Sequence, residues 1–298
     1  MNKSPTWLLD FKSDTYSQTG EDGIIKKVLE VIPQNDNWCV EFGAWDGIYD
    51  SNTKNLIETK DYSAILIEAN KVKFAGLQKN YTQNKNIITI NRFVGFEKED
   101  NLDQILKTTP IPKDFDFLSI DIDGNDYHVW KAMSEYNPKL VCIEFNPTIP
   151  TEIEFIQSAD NSVRQGASLL SLVKLGKDKG YELVSVLKFN AFFVRSKYYP
   201  LFKIESNSPK VLRTDLSDIT YLFSGYDGKI LLTGSLRLPW HGGIELRESK
   251  VQHLPRIIQK HPSDYGNFEK ILWKLYLGCF KKTNTISKYN SKIRKKKL

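Results

Sequence analysis

Two stretches of this 298-residue chain gather carboxylates beside glycine. One is FLSIDIDGND (117–126), which holds Asp121, Asp123, Asn125 and Asp126; the run VCIEFN (141–146) adds Glu144 and Asn146. The other is VEFGAWDGIYDSNT (40–53), with Glu41, Asp46 and Asp50 around Gly43 and Gly47. Neighbouring carboxylates push one pKa upward and can create a base near neutrality. They can equally hold Mg2+ or Ca2+ through hard oxygen ligands. Asp-x-Asp-Gly is also an ordinary turn that caps the following helix. The three readings stay open for Asp121, Asp123 and Glu144. Catalytic use is taken forward, with Asn125 and Asn146 beside an acceptor and no metal assigned. His128, early in the next helix, reads as a base or, more simply, as a helix-surface histidine.

Such residues need a scaffold that brings strand ends together. Ile24, Ile25, Val28, Leu29 and Ile32 recur at helical spacing, with Thr19 as the cap, Glu21 and Asp22 in the first turn and Pro33 as the stop. Strand-like runs follow at 38–44, 63–70, 86–94, 115–122, 140–146, 181–189 and 190–196. Helical or crossover segments at 51–60, 71–82, 125–136 and 166–180 lie between them. The early runs are continuously apolar, as in a parallel sheet covered on both faces. The last two are joined only by a turn and should pair antiparallel. The expected fold class is therefore α/β: a seven-stranded, mostly parallel sheet with a terminal antiparallel hairpin. That is the architecture of class I S-adenosylmethionine-dependent methyltransferases.

Doubly wound sheets bind ligands in loops at the carboxyl ends of their strands. Here the first such loop reads Glu-x-Gly-x-x-x-Gly (Glu41, Gly43, Gly47), where Gly43 permits a tight turn and Gly47 lets backbone approach a ligand. Three carboxylates would repel the phosphates of a dinucleotide. S-adenosylmethionine carries a sulfonium and an ammonium and no phosphate, so an acidic loop suits it. Glu68 ends the second strand 27 residues after Glu41, where a carboxylate can accept both ribose hydroxyls.

Together YSQTGED (16–22), VEFGAWDGIYDSNT (40–53), ILIEAN (65–70), FLSIDIDGNDYHVWKAM (117–133) and VCIEFN (141–146) resemble FkbM-type methyltransferases over roughly residues 14 to 196. The resemblance implies a class I fold that methylates hydroxyl groups, often on sugars of glycans or on secondary metabolites. It would place Glu41, Gly43, Ala44 and Gly47 along the methionine part of the cofactor and Glu68 on the ribose. Ala69 and Asn70 would flank the adenine, Ser51 and Asn52 would help close the loop, and Gln18 would reach in from the leading helix. The chain departs from the family's Asp-x-Glu-Gly after strand four, having Asp121-x-Asp123-Gly124.

The expected activity is S-adenosylmethionine-dependent O-methylation of a sugar or glycan hydroxyl. The rival is a non-catalytic binding or scaffold protein on the same fold, which an intact Glu41, Gly43, Gly47 and Glu68 set argues against. Expected divisions are a methyltransferase domain (1–199), a small extension (200–266) and a basic amphipathic helix with tail (267–298). In the extension, 218–235 reads as two strands around Asp227-Gly228, and Trp240-His241 makes a turn that could cover a sugar ring.

Ten Lys/Arg and no Asp/Glu lie from Lys270 to Leu298, leaving about −4 on the first 269 residues of a chain with net charge +6. Ile271, Leu272, Leu275, Tyr276 and Cys279 fall on one helical stripe beside Trp273. Such a tail suits an anionic membrane surface, whereas no aromatic interleaving or motif speaks for nucleic acid. Three widely spaced cysteines, no signal-like start and no long apolar run give the expectation of a cytoplasmic protein, peripheral at most at the inner face of the membrane.

Overall fold

The computed structural model describes residues 3–33 and 36–279. Its contacts divide the chain into two compact units, Met1–Leu216 and Ser217–Leu298.

The first unit runs α1 (Glu21–Val31), β1 (Trp38–Phe42), α2 (Lys54–Lys60), β2 (Ser63–Ile67), α3 (Lys71–Tyr81), β3 (Ile87–Ile90), α4 (Leu102–Leu106), β4 (Phe117–Ile120), α5 (Asp126–Ala132), β5 (Leu140–Glu144), α6 (Leu169–Asp178), β6 (Tyr181–Val186), β7 (Asn190–Arg195) and α7 (Pro209–Leu212). The sheet order is β3-β2-β1-β4-β5-β7-β6. β1 to β5 are mutually parallel, and β7 is antiparallel to both β5 and β6. This is the sheet expected from the sequence, with β7 inserted between β5 and the edge strand β6.

Strand side chains alternate between two buried layers. Val40, Phe42, Ile65, Ile67, Leu118, Ile120, Val141 and Ile143 pack with residues of α4, α5 and α6. Cys39, Ala64, Leu66, Phe117, Leu140 and Cys142 pack with residues of α1, α2 and α3. Both faces are covered, which is why the strands read as unbroken apolar runs. The second parity reaches polar residues at the carboxyl edge: Glu41 on β1, Glu68 after β2, Ser119 and Asp121 on and after β4, and Glu144 on β5. One face of one edge therefore collects the candidate residues.

Three expectations change in detail. Gly20, at φ 117°, occupies the N-cap of α1, and the Thr19 hydroxyl donates instead to Glu21. The first unit extends to Leu216 rather than 199, because Phe202, Ile204 and Leu212 are buried in the two sheet cores. In the second unit β8 (Thr220–Ser224) and β9 (Ile230–Gly234) pair around the Asp227-Gly228 turn as expected. Residues 267–279 are helical, but Leu272, Trp273 and Tyr276 are half-buried while Phe268, Ile271, Leu275 and Cys279 are exposed. The single stripe read from sequence is thus two faces. Most of the basic tail, residues 280–298, lies outside the described residues. Among the described residues no helix is long and apolar enough to cross a membrane.

The amino edge of the sheet is held by a buried carboxylate. Asp116 is fully buried and accepts from the backbone N–H of Asp36 (3.0 Å) and Asn37 (2.9 Å), the Tyr62 hydroxyl (2.9 Å) and Lys139 Nζ (2.7 Å). Burial disfavours the Lys139 charge, but its bonds to Asp116 and Asp36 outweigh that and raise its pKa. Asp116→Ala should therefore lower unfolding free energy by about 3–5 kcal/mol, by leaving a buried lysine without its main partner. Replacing Asp116 and Lys139 together by apolar residues of similar volume should cost less, since no buried charge is stranded, although the Asp36, Asn37 and Tyr62 donors lose their acceptor in both variants. Urea titration of the single and double variants checks this, and equal losses would contradict it.

Candidate active site

The leading segment is shaped by carboxylates that bond backward. Asp22 Oδ2 accepts from the N–H groups of Thr15, Tyr16 and Ser17 at 2.8, 2.8 and 3.1 Å. Glu21 accepts from the N–H groups of Gln18 and Thr19 and from Asn190 Nδ2 on β7 at 3.1 Å. Both carboxylates are buried, so their service to the α1 dipole is secondary to this folding-back of residues 15–19. Gln18 rides on the resulting turn and is exposed.

Glu41 holds the loop after β1. It is 6% exposed and accepts from the Ser51 and Thr53 hydroxyls (both 2.7 Å) and the Asn52 N–H (2.8 Å). Burial raises its pKa, and these bonds offset part of the rise. Asn52 Nδ2 continues to Ser119 on β4 at 3.0 Å. Glu41, Ser51 and Asn52 thus form one brace between β1, its loop and β4. Gly43 (φ 76°) is required by close approach, because a Cβ there would stand 2.2 Å from the Asp121 carbonyl oxygen. Gly47 (φ 73°) is constrained differently from expectation: a Cβ would strike Tyr81 and Leu77 of α3, and its carbonyl accepts from the Tyr81 hydroxyl at 2.7 Å. Ala44 is buried between these turns. Asp46 accepts from the N–H groups of Ile48 and Tyr49 and so shapes the loop. Asp50 is raised by burial and then by the charge of Glu21.

Glu68 is also 6% exposed. Its Oε2 accepts from the Trp45 N–H at 2.9 Å and its Oε1 from the Asn70 N–H at 2.6 Å. A carboxylate has about four lone-pair sites, so each oxygen retains acceptor capacity. Ala69 is exposed beside it, and Asn70 caps α3 by accepting from Val72 and Lys73. The exposed Trp45, missed in the sequence reading, lies under Lys73 Nζ at 3.7 Å from the ring centroid. Its signal was present as an aromatic inside a glycine loop.

In front of β4 and β5, Asp121, Asp123 and Glu144 each present an oxygen, all within 4.8 Å of one another. Asp121 meets solvent yet is surrounded by packed protein. That packing first, then the charges of Asp126, Asp123 and Glu41, push its carboxyl up to about 8, against a lowering hydrogen bond with Glu144. Glu144 is half-buried and is raised well above the usual range by burial and then by Asp121. A shared proton between Asp121 and Glu144 is the chemical consequence. The same oxygens could coordinate a divalent cation.

The neighbours divide sharply in role. Asp126 is the turn-former, accepting from the N–H groups of Ile122 and Gly124 at 2.9 Å each. Asn125 donates to the Asp160 carbonyl and accepts from Gln157 Nε2 at 2.8 Å. Asn146 donates to the Gln165 carbonyl and accepts from the N–H and hydroxyl of Thr148. Both amides, expected at the acceptor, are engaged in holding the segment between β5 and α6. His128, read as a base or a helix-surface histidine, is half-buried, and its Nε2 lies 2.9 Å from the Gln157 carbonyl oxygen, so it joins the hold on the β5–α6 segment. The β5–α6 segment exposes Ile153, Phe155 and Ile156 and was not singled out from sequence. Its length without a helix was the available signal, since long structureless connections are commonly functional. Trp240 and His241 belong to the second unit, where both are exposed and His241 N–H closes a turn onto the Leu238 carbonyl at 3.0 Å.

No family model matches the chain, and no curated protein matches it. The FkbM resemblance therefore rests on the motifs alone. Solved structures are similar at low identity. A SAM-dependent methyltransferase from Aquifex aeolicus is 11% identical over 64% of this chain and 97% of its own, with a TM-score of 0.36. The N-terminal domain of EvdMO1 with SAH bound is 10% identical over 60% of this chain and 80% of its own, with a TM-score of 0.38. Precorrin-6y C5,15-methyltransferase from Geobacter metallireducens is 12% identical over 61% and 93%, with a TM-score of 0.35. Likeness at this level carries no argument about what the chain binds, which has to come from its own residues.

Proposed function

We propose that the first unit is an S-adenosylmethionine-dependent O-methyltransferase acting on a sugar or glycan hydroxyl. One observation carries the reading: Glu68, the Glu41-braced loop and the Asp121, Asp123 and Glu144 cluster lie in strand order along one edge, across the β1/β4 switch point where doubly wound sheets bind ligands. Glu68 accepts the ribose hydroxyls with its remaining lone pairs, and the accessible backbone of Gly43 lies beside the methionine part. No lysine or arginine occurs from Val40 to Thr53, which disfavours phosphate and accommodates an ammonium and a sulfonium. The bound cofactor supplies the methyl group and leaves as S-adenosylhomocysteine. Asp121, as carboxylate, accepts the acceptor hydroxyl's proton while the new O–C bond forms. Glu144 keeps its own proton and hydrogen-bonds Asp121, and Asp123 raises the basicity of Asp121 by its charge.

Titration calorimetry with S-adenosylhomocysteine tests the cofactor half. Binding is expected, with Glu68→Ala weaker by about 1.5–3 kcal/mol, as for lost hydrogen bonds to a charged group. Binding of NAD in place of S-adenosylhomocysteine would overturn the reading. Tight cofactor binding without turnover on any glycan would leave a binding module.

The catalytic half has a pH signature. A base held protonated at neutral pH works better as pH rises, so kcat/KM should climb from pH 7 and level off above the Asp121 pKa of about 8. Asp123→Asn removes a charge that raises Asp121, so the limb should move to lower pH; Asn tolerates the φ of 56° at this position. Asp121→Asn should lower kcat about 10²- to 10⁴-fold while S-adenosylhomocysteine affinity stays within about twofold. An unmoved limb in Asp123→Asn contradicts the base assignment. Activity abolished by chelator and restored by Mg2+ would assign the three carboxylates to a cation.

A further inference from the structure

Charge is divided between the two units. Residues 217–298 hold 16 Lys/Arg against six Asp/Glu, whereas the first 216 residues are net −4. The helical residues 267–279 use one side within their own unit: Trp273 meets Tyr265 with ring centroids 6.4 Å apart, and the Tyr276 hydroxyl donates to the His253 carbonyl. Another side carries Phe268, Ile271 and Leu275, at i, i+3 and i+7, which are 63%, 60% and 63% exposed. Lys270 and Lys274 flank that stripe and are exposed as well. Residues 280–298 then add eight Lys/Arg and no acid. On β8, Tyr221, Leu222 and Phe223 are also exposed in succession.

An apolar stripe bordered by lysines is the chemistry of a helix lying in a lipid headgroup layer. Its apolar side enters the acyl boundary while the lysine stems reach back to anionic headgroups. Nucleic acid would satisfy the lysines but leave Phe268, Ile271 and Leu275 in water. We propose that the second unit docks on an anionic lipid surface through Phe268, Ile271 and Leu275, with Lys270 and Lys274 engaging the headgroups. The proposal is independent of the methyltransferase reading, since it rests on residues of the other unit.

The test is co-sedimentation of the full chain with phosphatidylcholine vesicles, with and without phosphatidylglycerol. Binding is expected only to the anionic vesicles, falling about tenfold or more as salt rises from about 0.1 M to about 0.5 M. Combined Phe268→Ser, Ile271→Ser and Leu275→Ser should weaken binding by about tenfold or more. The melting temperature and the state of S-adenosylhomocysteine binding, whether present or absent, should stay as in the unsubstituted chain. Ile271→Trp alone gives a second readout: its fluorescence should shift to the blue on adding anionic vesicles. Undiminished vesicle binding by the serine variant, equal binding to neutral vesicles, or displacement of the vesicles by duplex DNA would each overturn the proposal.

Discussion

The brace made by Glu41 is the contact on which the rest of the site depends. A glutamate on a buried strand position is costly unless its oxygens are satisfied, and three donors from residues 51–53 meet that need. Satisfying it forces the chain after β1 to turn back at once, which brings Gly43 under the Asp121 carbonyl and Asn52 against Ser119. The glycine loop and the carboxyl end of β4 are therefore one construction. Glu41 faces the site but spends its hydrogen bonds on the loop.

The sheet treats its two edges in opposite ways. At the amino edge Asp116 is matched by a lysine, a tyrosine and two backbone donors. At the carboxyl edge Asp121, Asp123 and Glu144 stand together, and burial with mutual repulsion raises the pKa values of Asp121 and Glu144. Like charges this close oppose folding, and the local turn absorbs the cost through Asp126, whose backbone bonds fix the loop that presents them. Separating the turn-forming Asp126 from Asp121 and Asp123 lets a single Asp-rich motif shape its own loop and present a carboxylate cluster.

Much of this was legible because the signals were local. Continuous apolar runs, the mark of strands covered on both faces, announced the parallel strands, and the direct succession of the runs 181–189 and 190–196 announced the antiparallel pair β6 and β7. Glu68 and the Glu41 loop could be placed from strand ends alone. Long-range partners were not legible. Nothing near Asn125 or Asn146 signals that their amides bind residues 157–165, and Gly47 looks like a ligand-facing glycine until α3 is packed against it. The unit boundary was missed for a similar reason: 200–216 lacks periodicity, yet Phe202, Ile204 and Leu212 enter the sheet cores.

Backbone strain collects at the same edge. Trp45, Asp50 and Asp123 all hold positive φ, at 49°, 50° and 56°, and all lie in loops at the carboxyl ends of β1 and β4. Asp tolerates this region through its short polar side chain, but a tryptophan there costs roughly 1–2 kcal/mol. Glycine at position 45 would relieve that cost. Instead the Trp45 N–H is held by Glu68 and its ring lies beneath Lys73, while the residue stays 46% exposed. Glu68 thus sets the conformation of the aromatic residue beside it. A ligand bound to that carboxylate would meet an indole face already fixed in place, with part of its ordering cost met during folding.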